Sequence, residues 1–175
     1  MSYFAAALAR GRDGWTAAEL DLDGAEDVQE IAERVREADP DAEVSLLFVE
    51  CEDEFLVVMR VDGDDDPRVF ASDAAFAEES RVGEVLLDGL EPAIGVVDLT
   101  EGLDGEVGSA AEADDEEETP TLHPLGEADL LEDLGTPGKE LLVLCAHEGT
   151  LPADVMMEIC VRAGCATALE ELREG

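Results

Sequence analysis

The sequence predicts an α+β fold: a small antiparallel sheet with one main helix, in ββαβββ order. Short β-rich runs alternate with turn residues in the N-terminal half, and one segment has helical periodicity. Hydrophobic residues make up 46% of the 175 positions, enough to pack a core. We expect an α+β domain over residues 1–99, an acidic low-complexity linker over 100–122, and a helical C-terminal region over 123–175 that forms a small bundle or a helical cover for the sheet.

Four segments have the composition of β-strands. Residues 3–10 are apolar, the turn sequence GRDG follows at 11–14, and residues 15–22 interleave polar with apolar residues, which indicates a β-hairpin. The runs at 44–50 (VSLLFVE) and 55–61 (FLVVMRV) are rich in β-branched and aromatic residues. Their apolar density predicts an antiparallel pair at the centre of the sheet, buried on both faces.

The main helix is predicted from apolar residues at helical spacing, namely Val28, Ile31, Ala32 and Val35. Asp23 precedes Glu26 by three positions, as in a capping box at the start of this helix. Farther along, residues 68–71 predict another strand. Ser72 is a candidate cap for a short helix that extends through Phe76.

The predicted linker separates this domain from four helical patterns. Between residues 100 and 121 almost every residue is Glu, Asp, Gly, Ala, Ser or Thr, so the segment cannot bury apolar area and we expect it to be flexible. A weak strand signal lies before it at 94–97. Four groups of apolar residues after it, separated by glycines and prolines, predict short helices: Leu130 to Leu134, Leu141 to Cys145, Val155 to Cys160, and Leu169 to Leu172.

The charge of the chain excludes several classes of function. Lys and Arg number 10 against 47 Asp and Glu, and the formal net charge is −37. Nucleic-acid affinity comes mainly from cations that neutralise phosphates, so we expect no direct nucleic-acid binding. Negative charge also disfavours anionic lipid surfaces, and the N-terminus lacks the basic region of a signal peptide. We therefore expect a cytoplasmic protein that does not bind membranes.

Two groups of residues resemble metal sites in part. Asp62, Asp64, Asp66 and Asp73 fall at positions 1, 3, 5 and 12 of an EF-hand count, but Pro67 stands where that loop needs glycine. A solvated turn is the favoured interpretation, with weak cation binding as the alternative. Cys145, His147, Cys160 and Cys165 combine zinc-ligand types at unsuitable spacing, so we expect core cysteines and no metal or cofactor.

No catalytic motif is present. Neither the H-x-E and P-C-x-x-C pair of zinc deaminases nor a nucleophile elbow, Walker motif or dinucleotide loop occurs. The acidic surroundings disfavour a reactive thiolate. The histidines, His123 and His147, lie beside Pro124 and near a predicted helix end, where a cation complements the helix dipole. We expect that the protein is not an enzyme.

Several segments together resemble a known family. They are residues 3–8 (YFAAAL) leading to 13–15 (DGW), 46–50 (LLFVE), 66–70 (DPRVF), 133–137 (DLGTP) and 144–154 (LCAHEGTLPAD). Over nearly its whole length the chain resembles the actinobacterial family of tRNA adenosine deaminase-associated proteins. The resemblance implies association with such an enzyme and brings no catalytic residues with it.

Our leading hypothesis is a non-catalytic acidic accessory protein that associates with a basic partner, which the resemblance suggests is a tRNA adenosine deaminase. The alternative is a small-ligand-binding or enzymatic domain of unknown chemistry whose acidity serves only solubility. A third hypothesis is a cation-binding module. For partner binding, the candidate apolar residues are Met156 and Met157, which are adjacent on a short predicted helix, so that only one can fully face the core.

Overall fold

The protein has the α+β fold with an antiparallel sheet that the sequence predicts, and the sheet has six strands, one more than predicted. A computed structural model describes residues 3–52, 54–63, 65–90, 124–146 and 151–174. The strand order is β2-β1-β3-β4-β5-β6, and every neighbouring pair is antiparallel. The strands are β1 (Tyr3–Gly11), β2 (Gly14–Glu19), β3 (Val44–Cys51), β4 (Phe55–Asp62), β5 (Arg68–Ala71) and β6 (Leu125–Gly126).

Helices cover both faces of this sheet. The first face carries α1 (Val28–Ala38), α2 (Phe76–Glu79) and α3 (Arg81–Leu87), and the second face carries a 3₁₀ helix (Ala128–Leu134), α4 (Gly138–Ala146), α5 (Pro152–Ala163) and α6 (Ala166–Glu174). The four C-terminal helices confirm the predicted helical region. They pack on the sheet and share a hydrophobic core with it.

The central strands β3 and β4 are buried on both faces, as predicted. In a strand, successive side chains point to opposite faces. Leu47, Val57 and Met59 therefore lie in the core of the first face, whereas Phe48 and Val58 lie in that of the second. Because both sets are apolar, the sheet can accept a helical layer on each side.

Two predicted helix caps are wrong. The N-cap of α1 is Asp27, whose Oδ1 accepts from the Glu30 backbone N–H at 2.9 Å, while the Glu30 carboxylate accepts from the Glu26 N–H. The N-cap bond therefore joins Asp27 to Glu30, and the Glu30 carboxylate bonds to the residue before the cap. Asp23 instead forms a turn, with its N–H donating to Asp21.

Ser72 does not cap a helix. Its hydroxyl is buried and accepts from the Leu56 N–H at 3.1 Å, which ties the end of β5 to the start of β4. The short helix α2 begins only at Phe76, after a turn in which Asp73 accepts from the Ala75 N–H. The serine satisfies a strand amide because β4 begins beside it.

Glycines in the left-handed conformation end two of the C-terminal helices. Gly135 follows the 3₁₀ helix at φ 102° and Gly164 follows α5 at φ 93°, conformations that residues with a Cβ rarely adopt. The predicted strand at 94–97, the predicted linker at 100–122 and Gly149 lie outside the described residues.

Candidate interaction surface

The two methionines proposed for partner binding have different environments. The Met156 side chain is fully buried in the core of the second face, where its sulfur lies 3.9 Å from Nη1 of Arg173. Met157 is half-buried and packs against the same core. Of the two, only Met157 has surface that a partner could contact.

Arg173 fastens the last helix to the sheet. Its guanidinium carbon lies 5.0 Å from the centre of the Phe4 ring, a cation–π arrangement, and its Nη2 lies 3.6 Å from Oε1 of Glu50. The second carboxylate oxygen of Glu50 is buried and has no hydrogen-bond partner among the described residues. The cation thus offsets part of the cost of placing a carboxylate under α6.

Arg60 is the one buried cation of the described part of the chain, at 5% exposure in β4. Its guanidinium donates to both carboxylate oxygens of Asp133, at 2.5 and 2.9 Å, to the Leu130 carbonyl at 2.7 Å and to Asp62 at 2.9 Å. The bond to Asp133 raises the pKa of Arg60 above its usual range, and the same bond lowers the pKa of Asp133. The pair joins β4 to the 3₁₀ helix.

Sequence reasoning missed this cluster. Arg60 is the single charge in the apolar run 55–61, and a buried guanidinium requires a carboxylate or carbonyl partner. That signal was available. The identity of the partner could not be predicted, because Asp133 is one of 47 acidic residues and lies 73 positions from Arg60 in the chain.

Most of the cations are engaged inside the fold. Six of the ten basic residues form ion pairs with carboxylates or donate to backbone carbonyls: Arg34, Arg36, Arg60, Arg68, Arg162 and Arg173. Exposed carboxylates far outnumber the remaining cations, for example Glu33 and Glu37 on the outer side of α1. The described surface is therefore strongly acidic.

The cysteines are packed as apolar side chains. Cys160 and Cys165 are buried in the second core, and Cys145 is partly buried against it. Burial raises the pKa of Cys145 to about 12, and a hydrogen bond with Cys165, together with burial, raises that of Cys160. Protonated thiols are poor nucleophiles and poor metal ligands. His123 and His147 lie outside the described residues.

The acidic turn after β4 is held by arginines. Asp62 pairs with Arg60 and Arg68, and Arg36 donates to the Gly63 and Asp65 carbonyls at 3.1 and 2.6 Å. Asp64 lies outside the described residues. Within the described ranges, His, Cys, Asp and Glu side chains form no group of three or more that could hold a metal ion.

An open groove of about 610 Å³ runs between β2 and α6. Trp15 and Ala17 line it from the strand, and Ala168, Glu171 and Leu172 line it from the helix. The groove could not be located from the sequence, because it depends on α6 packing beside a strand about 150 residues earlier.

Comparison with known proteins places the chain in a family. Residues 3–166 match the family described as Rv3753c-like tRNA adenosine deaminase-associated protein. The chain belongs to this family. Membership confirms the resemblance, and the family's description names an association with the deaminase rather than the deaminase activity itself. No curated protein and no solved structure matches the chain. Among the described helices, none combines the length and apolarity needed to cross a bilayer.

Proposed function

We propose that this protein is a non-catalytic, acidic accessory protein of the cytoplasm that associates with a basic protein partner, a tRNA adenosine deaminase. Its family is described by association with that enzyme. An enzyme that acts on tRNA needs a cationic surface for the phosphate backbone. Such a surface complements a chain of net charge −37.

The observation that carries the proposal is the way the few cations are used. Arg60 and Arg173 stabilise the packing of the C-terminal helices, and Arg34 and Arg36 stabilise the ends of α1. They are therefore not free to contact phosphate, whereas most carboxylates in the described part of the chain face solvent. This arrangement supports docking on a basic protein and disfavours direct binding of tRNA.

The described site chemistry supports a non-catalytic role. Cys145 and Cys160 have raised pKa values, and Asp133 is held by Arg60, so these groups are engaged in packing rather than poised for proton transfer or nucleophilic attack. We propose that the apolar contribution to docking comes from the half-buried Met157.

The test is a titration of the purified tRNA adenosine deaminase of the same cells with the full-length protein at two salt concentrations. We expect binding that weakens as salt rises, since exposed charges are screened within roughly 8–10 Å at physiological ionic strength. The protein alone should neither bind nor deaminate tRNA. Absence of binding at both salt concentrations would overturn the proposal, and binding unaffected by salt would overturn its electrostatic basis.

Met157→Asp tests the apolar contribution. Val143→Asp is the matched control, because Val143 is 58% exposed, lies on α4 rather than α5 and receives the same added charge. We expect a larger loss of affinity for Met157→Asp. Equal losses would assign the effect to charge and remove Met157 from the interface.

A further inference from the structure

Strand β2 forms an edge of the described sheet. It pairs with β1 in continuous register from Gly14↔Gly11 to Glu19↔Ala6, and it has no second neighbour among the described strands. The sequence GWTAAE contains no proline or lysine, and the pairing has no bulge. Proline, lysine and bulges usually keep an edge strand from pairing with another chain. Because β2 has none of them, its edge can accept a further strand.

The register identifies the backbone groups that face outward. The Leu20 N–H donates to the Ala5 carbonyl at 2.9 Å, so Ala5 and Leu20 form a hydrogen-bonded pair. Hydrogen-bonded and non-hydrogen-bonded pairs alternate along an antiparallel hairpin, so the next hydrogen-bonded pairs are Ala7 with Ala18 and Ala9 with Thr16. Thr16 and Ala18 therefore direct their N–H and C=O groups towards β1. The corresponding groups of Trp15, Ala17 and Glu19 point away from the sheet, where an additional strand would lie.

The groove lies beside this edge. The side chains of Trp15 and Ala17 belong to the second face, and with Ala168 and Leu172 of α6 they give the groove apolar walls. Glu171 lines the groove. Two further glutamates are exposed nearby: Glu19 at the end of β2 and Glu170 in α6. The site combines strand backbone that is unpaired among the described strands, apolar surface and an excess of carboxylates, with the Arg10 guanidinium carbon 5.8 Å from the centre of the Trp15 ring as a cation at the same edge.

We propose that β2 and the adjoining groove bind an extended basic segment of the protein partner, which adds to the sheet as a strand beside β2. Main-chain hydrogen bonds to Trp15, Ala17 and Glu19 supply affinity, and every second side chain of the segment enters the groove. The carboxylates favour a cationic segment, and a second copy of this chain, at −37, is repelled. This inference rests on the proposed function and adds a docking contact on β2 and α6, separate from Met157, which does not line the groove.

Amide hydrogen exchange tests the proposal directly. In the free protein the amides of Trp15, Ala17 and Glu19 should exchange faster than those of Thr16 and Ala18. Addition of the purified tRNA adenosine deaminase should protect the first set. Protection of these amides already in the free monomer would mean that another segment of the chain occupies the edge, and a concentration-dependent dimer would mean a second copy. Either result overturns the proposal.

Ala17→Pro removes an outward N–H without removing a hydrogen bond to β1. We expect about tenfold weaker binding to the deaminase, with Ala18→Thr as the control that keeps the strand amides. A thermal melt verifies that Ala17→Pro is folded. The double variant Glu170→Lys/Glu171→Lys should also weaken binding, more than Glu33→Lys/Glu37→Lys, which makes the same charge change on exposed positions of α1.

The outcomes separate the two proposals. If the wild-type protein fails to bind the deaminase, the proposed function and this inference both fail. If the wild type binds but the β2 amides stay unprotected, the docking site is elsewhere and only this inference fails. The same holds if the two double variants lose affinity equally, because charge alone would then explain the loss.

Discussion

The two faces of the sheet are packed by different means. On the first face the described core holds no buried charge, and the arginines of α1, Arg34 and Arg36, bond to loop carbonyls at the exposed rim. On the second face Arg60 is buried within the layer, and Arg173 lies over Phe4 and beside Glu50. Both faces bury aliphatic side chains, but among the described residues only the second adds a buried arginine, which pairs with the exposed Asp133.

The two faces also differ in how far their helices lie, along the chain, from the strands that they cover. The helices of the first face are separated from their strands by short connections, so the chain itself limits where they can pack. The helices of the second face begin at Ala128, far from the strands they cover. Apolar burial is not directional. We infer that the two-oxygen bond between Arg60 and Asp133 sets the register of the second layer.

The largest effects should come from the apolar cores and should be equal on the two faces. Ile31 in α1 and Ile159 in α5 are both fully buried, and replacing either by alanine should reduce the free energy of unfolding by about 4 kcal/mol. The measurement is chemical denaturation, with the exposed Val161→Ala as control. A small effect at Ile159 alone would show that the second layer contributes little to stability and would break the comparison.

The next effect concerns the ion pair. Asp133→Asn should reduce the free energy of unfolding by about 1 kcal/mol, because Asp133 is 63% exposed and the buried Arg60 keeps its bonds to Asp62 and to the Leu130 carbonyl. Glu127→Gln is the control, since Glu127 is exposed and its oxygen is 4.0 Å from Arg68; we expect a change below about 0.5 kcal/mol. Equal changes in the two variants would contradict a special role for the pair of Arg60 and Asp133.

The stability difference between the wild type and Asp133→Asn should also depend on pH in a defined direction. The pKa of Asp133 is lowered in the folded protein, so the stabilisation is complete above its unfolded value of about 3.9 and is lost as pH falls through the folded value. The stability difference between wild type and Asp133→Asn should therefore be constant near neutral pH and narrow below about pH 4. A difference that grew on acidification would refute the assignment.

The smallest effect is expected from cutting the chain between the predicted domain at 1–99 and the predicted helical region at 123–175, within the predicted linker at 100–122. A site-specific protease sequence placed in the 100–122 segment should allow the chain to be cut. We expect the two pieces to elute together under native conditions, because the second core contains side chains from both sides of the cut, such as Phe48 and Ile159. Separate elution would show that the two pieces are independent domains.

Much of the fold could be read from the sequence because its signals are local. The hairpin, the two central strands and the C-terminal helices follow from apolar periodicity and from turn residues such as Gly135 and Gly164. The cap of α1 was misplaced by four residues, since several acidic residues near Asp27 satisfy the same pattern. The acidity and the absence of a deaminase motif are likewise properties of composition and spacing.

The candidate site depends on contacts that no local pattern encodes. The sequence by itself determined strands β1 to β5, the helix α1, the C-terminal helices, the charge and the family resemblance, but it indicated neither α3 nor β6. The tertiary structure decided that Met156 is buried, that Arg60 pairs with Asp133, and that β2 lies at an edge beside α6. The physical reason is that periodicity shows which side of an element is apolar, whereas the partner of that side is chosen by packing among segments far apart in the chain.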